Sequence, residues 1–343
     1  MITPFGLRHV ELVRELEAGC IYLDPGSLLA EPPATPLRTA LQGYFLKSSG
    51  AFTYVLRAVD RGVLWRGFAQ AQAMQTNLAW KVACLAPDLE ASADAATIWY
   101  RLLLHICIAA GERHVQRLYA CVRRDDPAEE VLRQASFSLY CHDRVFTLVP
   151  GMSVQRVTSQ RVRPARPEDA WGVQRLRFRT TPRPVQQAEE LNGTHGERQP
   201  FDITCVDGHD RFVLSGQGDE LRGFLSVSTI ARGFWIGVLI HPDERDGATE
   251  LLSHALSVLR NATSKPVYCA VREYQSGVLA ALEHCGFTSV ADRSLLVKHT
   301  TVQVREAQRK LVPAIEKRAG VVPMVSHSEQ RAHSGSRERR SGG

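Results

Sequence analysis

Apolar positions along this chain recur every second residue in some stretches and every third or fourth in others, and the change of period marks out its elements. Phe52 to Ala58 and Val63 to Ala73 are β-rich runs split by Asp60-Arg61-Gly62, a turn signal, and together they predict a hairpin. Leu78 to Leu85 reads as a further apolar strand. In the helix that follows, Trp99, Leu102, Leu103, Ile106 and Ala110 share one face, and the strand Gln116 to Val122 comes next. A second helix sets Ala128, Val131, Leu132 and Ala135 at i, i+3, i+4 and i+7, before a strand near Ser138 to Leu148. A strand–helix–strand crossover implies one parallel pair inside a largely antiparallel sheet.

The whole arrangement occurs twice. Pro4, Val13 and Leu16 match Pro164, Val173 and Leu176 at a constant offset of 160. Val55-Leu56 followed by Arg66-Gly67-Phe68 recurs as Val213-Leu214 followed by Arg222-Gly223-Phe224. Trp80, Pro87 and Asp88 recur as Trp235, Pro242 and Asp243, and both tryptophans read as core anchors. Tyr119, Val122-Arg123 and Asp143-Arg144 recur as Tyr268, Val271-Arg272 and Asp292-Arg293. The second helix has its counterpart in Val278, Ala281, Leu282 and Cys285, ahead of a strand over Ser289 to Lys298. The constant order shows duplication of a long unit, and the drifting offset records small loop insertions. The division is therefore a first domain over residues 1–149, a linker over 150–160, a second domain over 161–299, and a helix with a basic tail over 300–343.

Composition agrees with two folded domains. The chain has 343 residues, 44% hydrophobic and 23% charged, which is ordinary globular usage. The net charge of +6 looks like a nucleic-acid signal until it is located. From Thr301 onward nine Lys/Arg face four Glu, a net +5, which leaves +1 for everything before. The nearly neutral folded part makes no case for a phosphate-tracking basic face, and residues 325–343, rich in Ser, Gly, Arg and His, read as disordered. Leu102 to Ala110, interrupted by His105, is the longest nearly apolar run and falls far short of the ~20 residues of a membrane span. Pro4, Arg8, His9 and Glu11 break any secretory signal. The eight cysteines stand far apart, as expected of free thiols in a reducing cytoplasm, and neither they nor the twelve histidines show metal-ligand spacing.

The repeated residues resemble the GNAT N-acetyltransferase superfamily in both halves. Arg163-Pro164-Ala165-Arg166-Pro167-Glu168-Asp169-Ala170 is similar to its first strand and helix start. Ile240-His241-Pro242-Asp243 resembles the end of its fourth strand, and Leu279 to Cys285 with Gly286-Phe287 resembles its closing helix and Gly-Phe turn. The first half matches with Leu85-Ala86-Pro87-Asp88 and with Ala135-Ser136-Phe137, where serine replaces the glycine. The resemblance implies an α+β fold in tandem, a mixed and mostly antiparallel sheet flanked by helices.

It also implies acetyl-CoA as co-substrate, without a metal. In the family a Gln/Arg-x-x-Gly-x-Gly/Ala loop opens a helix whose bare N–H groups hold the pyrophosphate. The first half has Glu90-Ala91-Ser92-Ala93-Asp94-Ala95 there, acidic and without glycine, which suits a helix start better than a phosphate. The second half has Arg245-Asp246-Gly247-Ala248-Thr249, shorter than the family loop but with a cation and a glycine. The resemblance therefore assigns the co-substrate to the strand end Val238, Leu239 and Ile240, to this loop, and to Gln275 at the family's Asn position. The family's catalytic tyrosine is Leu132 and Leu282 here, and neither donates a proton. Tyr274 is the substitute acid and His241 the candidate base, against the plainer readings of a half-buried turn aromatic and a solvent-facing loop residue.

The function this implies is acyl-CoA-dependent N-acyl transfer to an amine, on a small molecule or a peptide. The alternative is a non-catalytic GNAT-like binding or scaffold protein, which the altered loops favour. A third and weaker reading is nucleic-acid binding by the tail. Oligomeric state and acceptor identity are not written in the sequence.

Overall fold

A computed structural model describes residues 1–23, 34–60, 62–74, 78–150, 159–189, 209–216, 218, 220–244, 246–259 and 265–300. Arg245, most of the linker and the basic tail lie outside these residues.

The first repeat runs β1 (Ile2–Pro4), α1 (Val10–Leu16), β2 (Ile21–Tyr22), α2 (Pro36–Phe45), β3 (Ala51–Asp60), β4 (Val63–Ala73), β5 (Ala79–Ala86), α3 (Ala95–Gly111), β6 (Arg117–Arg123), α4 (Pro127–Gln134) and β7 (Ser138–Leu148). The second runs β8 (Val162–Pro164), α5 (Ala170–Thr180), α6 (Arg183–Glu189), β9 (His209–Ser215), β10 (Leu221–Ile230), β11 (Gly233–Ile240), α7 (Gly247–Leu259), β12 (Val267–Arg272), α8 (Ser276–His284) and β13 (Thr288–His299). The expected hairpin is β3–β4, and the parallel pair occurs in each repeat as β5 with β6 and β11 with β12.

Local chemistry accounts for the helix ends. Pro127 stands at the first position of α4, and Asp126 accepts the Ala128 N–H at 2.9 Å. At the other end Ser136 and Gly286 close α4 and α8 with φ of 65° and 83°. Phe137 N and Phe287 N then each bond back to Leu132 O and Leu282 O at 3.0 Å. On one face of the sheet α3 and α4 bury Trp80, Trp99, Leu102 and Ile106, and α7 and α8 do the same over Ile236, Leu251 and Leu282. Each such side chain contributes about 1.5–3 kcal/mol of burial.

Two features were not foreseen. The repeats share one 13-stranded sheet and exchange their last strands: β13 pairs with β6 of the first repeat, β7 with β12 of the second, and β7 and β13 with each other. In addition, Trp80 and Trp235 are not equivalent positions. Lys81 stands opposite Tyr119 and Trp235 opposite Tyr268, so Trp235 matches Lys81. An extra residue in β5, at the register slip against Gln70 and Ala71, inverts the alternation. Trp80 therefore lies under α3, while Trp235 lies on the other face with Val145 and Ile230; both are buried, as core anchors should be.

Candidate functional site

Both parallel pairs are forks. In the second repeat β11 and β12 pair at Phe234↔Val267, Trp235↔Tyr268 and Ile236↔Cys269, and then part. The segment Val238 to Ile240 continues against β10 alone, so its other edge faces the fork. One side chain crosses the gap. Gln275 donates from Nε2 to Val238 O at 3.1 Å and accepts the Arg272 N–H on Oε1 at 2.9 Å.

In the first repeat the fork is filled. β5 and β6 pair through Lys81↔Tyr119 and part, but Cys84 and Leu85 then bond to β4 on one edge and to β2 on the other. Leu23 N extends this pairing to Ala83 O at 2.8 Å. The chain's own backbone thus occupies the edge that Val238 to Ile240 leave open.

The helix starts at the fork mouths are acidic. In the first repeat Ala91 N and Ala95 N bond to Asp88 O and Ser92 O, and Glu90 N to the Asp88 carboxylate, so these amides are already engaged. In the second, Asp243, Glu244, Asp246 and Glu250 surround the start of α7. Arg161 pairs with Glu244 at 3.0 Å and with Glu250. Its contacts, with Ser159, hold the Glu250 carboxyl below the usual range against the opposing effect of burial. Gly247 faces inward: a Cβ there would stand 2.5 Å from Leu214 Cδ2 and from Glu244 Cγ. The glycine is explained by helix–sheet packing as well as by any ligand. Ala248 is buried beside it, and Gly247, Ala248 and Thr249 supply the first amides of α7, which lack intrahelical acceptors.

No family model matches the chain, and neither does any curated protein. Among solved structures, a GCN5-related N-acetyltransferase from Sphaerobacter thermophilus superposes at a TM-score of 0.51 with 12% identity, covering 88% of this chain and 96% of that one. A glucosamine N-acetyltransferase region within a fungal multi-domain β-N-acetylglucosaminidase superposes at 0.51 with 10% identity, over 87% of this chain and 38% of that one. A tandem GNAT protein from the clavulanic acid biosynthesis pathway gives 0.48 with 14% identity, over 88% and 99%. The chain carries the GNAT fold in tandem. At these identities the likeness is one of fold, and chemistry has to be read from this chain's own residues.

Within the GNAT fold, Val238 and Gln275 are brought together at the open fork, whereas the two candidate catalytic residues stand apart from it in different surroundings. Tyr274 packs beside Tyr119, Cys141, Val185 and Ala188. Its hydroxyl is buried without a hydrogen-bond partner among the described residues, and burial pushes its pKa up to about 12. His241 lies beyond the end of β11. Arg222 Nη1 approaches its Nδ1 at 3.2 Å, and the Asp243 N–H donates to the same nitrogen at 3.3 Å. A guanidinium only donates, so Nδ1 holds the lone pair and Nε2 the proton. The basic nitrogen of His241 is therefore already engaged by Arg222.

Sequence reading missed a buried ionic cluster beside the forks. Glu189, at the end of α6, takes Arg272 Nη2 at 2.9 Å and the Tyr140 hydroxyl at 3.0 Å. The repeat marks Arg272, but nothing in the local pattern of 183–189 singles out Glu189. Among the described residues no group of three or more His, Cys, Asp or Glu is placed to hold a metal, and no helix is long and apolar enough to cross a membrane.

Proposed function

We propose that the protein is an acyl-CoA-dependent N-acyltransferase working through its second repeat, with the first repeat serving as structural support. The observation that carries this reading is the difference between the forks: Val238 to Ile240 present an unpaired strand edge, while the matching edge of β5 is taken by Ile21 to Leu23. Acyl-CoA would supply a thioester carbonyl. The open edge suits its amide-bearing arm, which can add to a strand as a peptide does. The Ile240 N–H, which lies on the open edge together with the Val238 carbonyl, is the donor available to polarise the thioester carbonyl, whereas the Leu239 N–H points to β10. At the phosphate end the fit rests on the first amides of α7 and on Arg245, against the carboxylates around them. An amine acceptor, small molecule or peptide, would approach on the side of α5 and α6. Neither Tyr274, with its hydroxyl buried, nor His241, with its lone pair engaged, is poised for proton transfer without rearrangement.

The second reading, a non-catalytic GNAT-like binding protein, draws on one observation in particular: Gln275 already bonds the Val238 carbonyl across the fork. Calorimetric titration of the full chain with acetyl-CoA separates the two. Saturable binding with a rise in melting temperature supports acyl transfer and calls for a screen of amines. No heat and no thermal shift at millimolar acetyl-CoA would leave the binding protein.

A further inference from the structure

The second repeat contains a cavity of about 800 Å³ on the α5 face, bounded by α5, by Ser215, Gly218 and Glu220, and by His241. The first repeat shows which residues differ at this place. The offset of 160 that aligns β1 with β8 and α1 with α5 sets Leu12 against Gly172 and Glu15 against Arg175. Arg66 matches Arg222, because Gly67 pairs with Leu56 as Gly223 pairs with Leu214. In the first repeat Leu12 is buried in the core, and Arg66 forms an ion pair with Glu15. In the second, glycine stands in the leucine's place with the Leu221 side chain packed against it, and the charge on the helix is reversed. Arg222 turns instead to Glu220 at 3.0 Å and to His241.

The walls are already neutralised. Asp169 takes both terminal nitrogens of Arg163 at 2.7 and 2.8 Å, and Glu220 takes Arg179 at 2.8 Å as well as Arg222. Arg175 has no carboxylate partner among the described residues. Its guanidinium stands 5.4 Å from the centre of the Trp171 indole, and Trp171 is 68% exposed at the rim. An exposed aromatic beside an arginine at the rim of a cavity offers a ring face and a positive charge to the same ligand. Glu168, also on the wall, sets the charge such a ligand can carry: a single negative charge is drawn to Arg175, whereas a dianion meets Glu168 at greater cost.

We propose that this cavity binds a small aromatic monocarboxylate, with its carboxylate on Arg175 and its ring against Trp171. The cavity opens on the α5 face and reaches His241, next to the open edge at Ile240, and carboxylate binding there is measured without acyl transfer. The test is titration of the full chain with benzoate, read by calorimetry and by quenching of Trp171 fluorescence. Acetate supplies the carboxylate without the ring, and benzyl alcohol the ring without the carboxylate. Benzoate is expected to bind saturably and about tenfold or more tightly than either fragment. Arg175→Gln, an exposed change that spares the fold, weakens benzoate by about tenfold. Absence of saturable benzoate binding at millimolar concentration, equal binding by Arg175→Gln, or tighter binding of inorganic phosphate would each overturn the proposal.

Discussion

Asp143 and Arg293 face each other on β7 and β13, joined by two hydrogen bonds of 2.7 and 2.6 Å, with both side chains almost wholly buried. They are unlike members of the same repeated dipeptide. Asp143-Arg144 and Asp292-Arg293 lie across an antiparallel pair in the register Asp143↔Arg293 and Arg144↔Asp292, as a two-fold relation between two copies requires. The duplication read in the sequence thus becomes the contact that joins the repeats. The two pairs nevertheless differ in environment: Arg144 and Asp292 are bonded but 40% and 43% exposed.

That difference predicts unequal costs. Asp143→Ala takes the carboxylate partner from a buried, charged Arg293 and should destabilise the protein by about 3–5 kcal/mol. Arg144→Ala removes an exposed pair and should cost less than about 1 kcal/mol. Replacing Asp143 and Arg293 together by Leu and Met should recover most of the loss. Urea denaturation of the three variants checks the ranking, and a double variant as unstable as Asp143→Ala would show that the pair does more than satisfy itself.

Ser136 gives a test of the closing turn. It holds the left-handed conformation that Gly286 holds in the other repeat, and it is exposed, so no packing compensates for the strain on its Cβ. Ser136→Gly should stabilise the chain by about 1 kcal/mol, and Gly286→Ala should destabilise it by about 1–2 kcal/mol. Thermal melts of both variants measure the effect. No gain from Ser136→Gly would mean that the serine is accommodated without strain.

Tyr274 predicts a dependence on alkaline pH. Its folded pKa of about 12 lies above the unfolded value of 10, so the folded state holds the phenolic proton more tightly. Stability from this group is complete below pH 10 and is lost as pH rises from 10 through about 12. Ultraviolet titration should show a tyrosine that ionises late, and Tyr274→Phe should remove that component and flatten the decline. An unchanged titration would place the hydroxyl in water.

Most of the fold was legible because duplication gave each element twice. The strand over Val63 to Ala73, the strand Val267 to Arg272 and the helix faces follow from side-chain period alone, which burial imposes locally. The exchange of β7 and β13 was not legible, since a strand carries the same alternation whichever neighbour it pairs with. The Trp80–Trp235 match failed for a related reason: one extra residue in β5 inverts the face without altering the pattern's appearance. At the site, Gln275 and Val238 came from the resemblance and do meet at the fork. The plug at Ile21 and Tyr22 was not seen, because two residues are too few to carry a period.

The fork itself gives the last prediction, which rests on the proposed acyl-CoA site. Gln275 spends one amide proton on Val238 O, the carbonyl a bound arm would use, so any ligand on that edge must first break this bond. Gln275→Ala frees the carbonyl and should tighten acetyl-CoA about tenfold, the value of one ordinary hydrogen bond no longer lost on binding. The same change leaves the Arg272 N–H without its acceptor and should lower the melting temperature of the unliganded protein. Affinity and stability therefore move in opposite directions, which separates a blocking role from general damage to the site. If acetyl-CoA binds the variant more weakly than the parent, Gln275 holds the ligand instead of excluding it. If acetyl-CoA binds neither, the fork is closed in function as well as in structure, and the GNAT fold here has been kept for its surface.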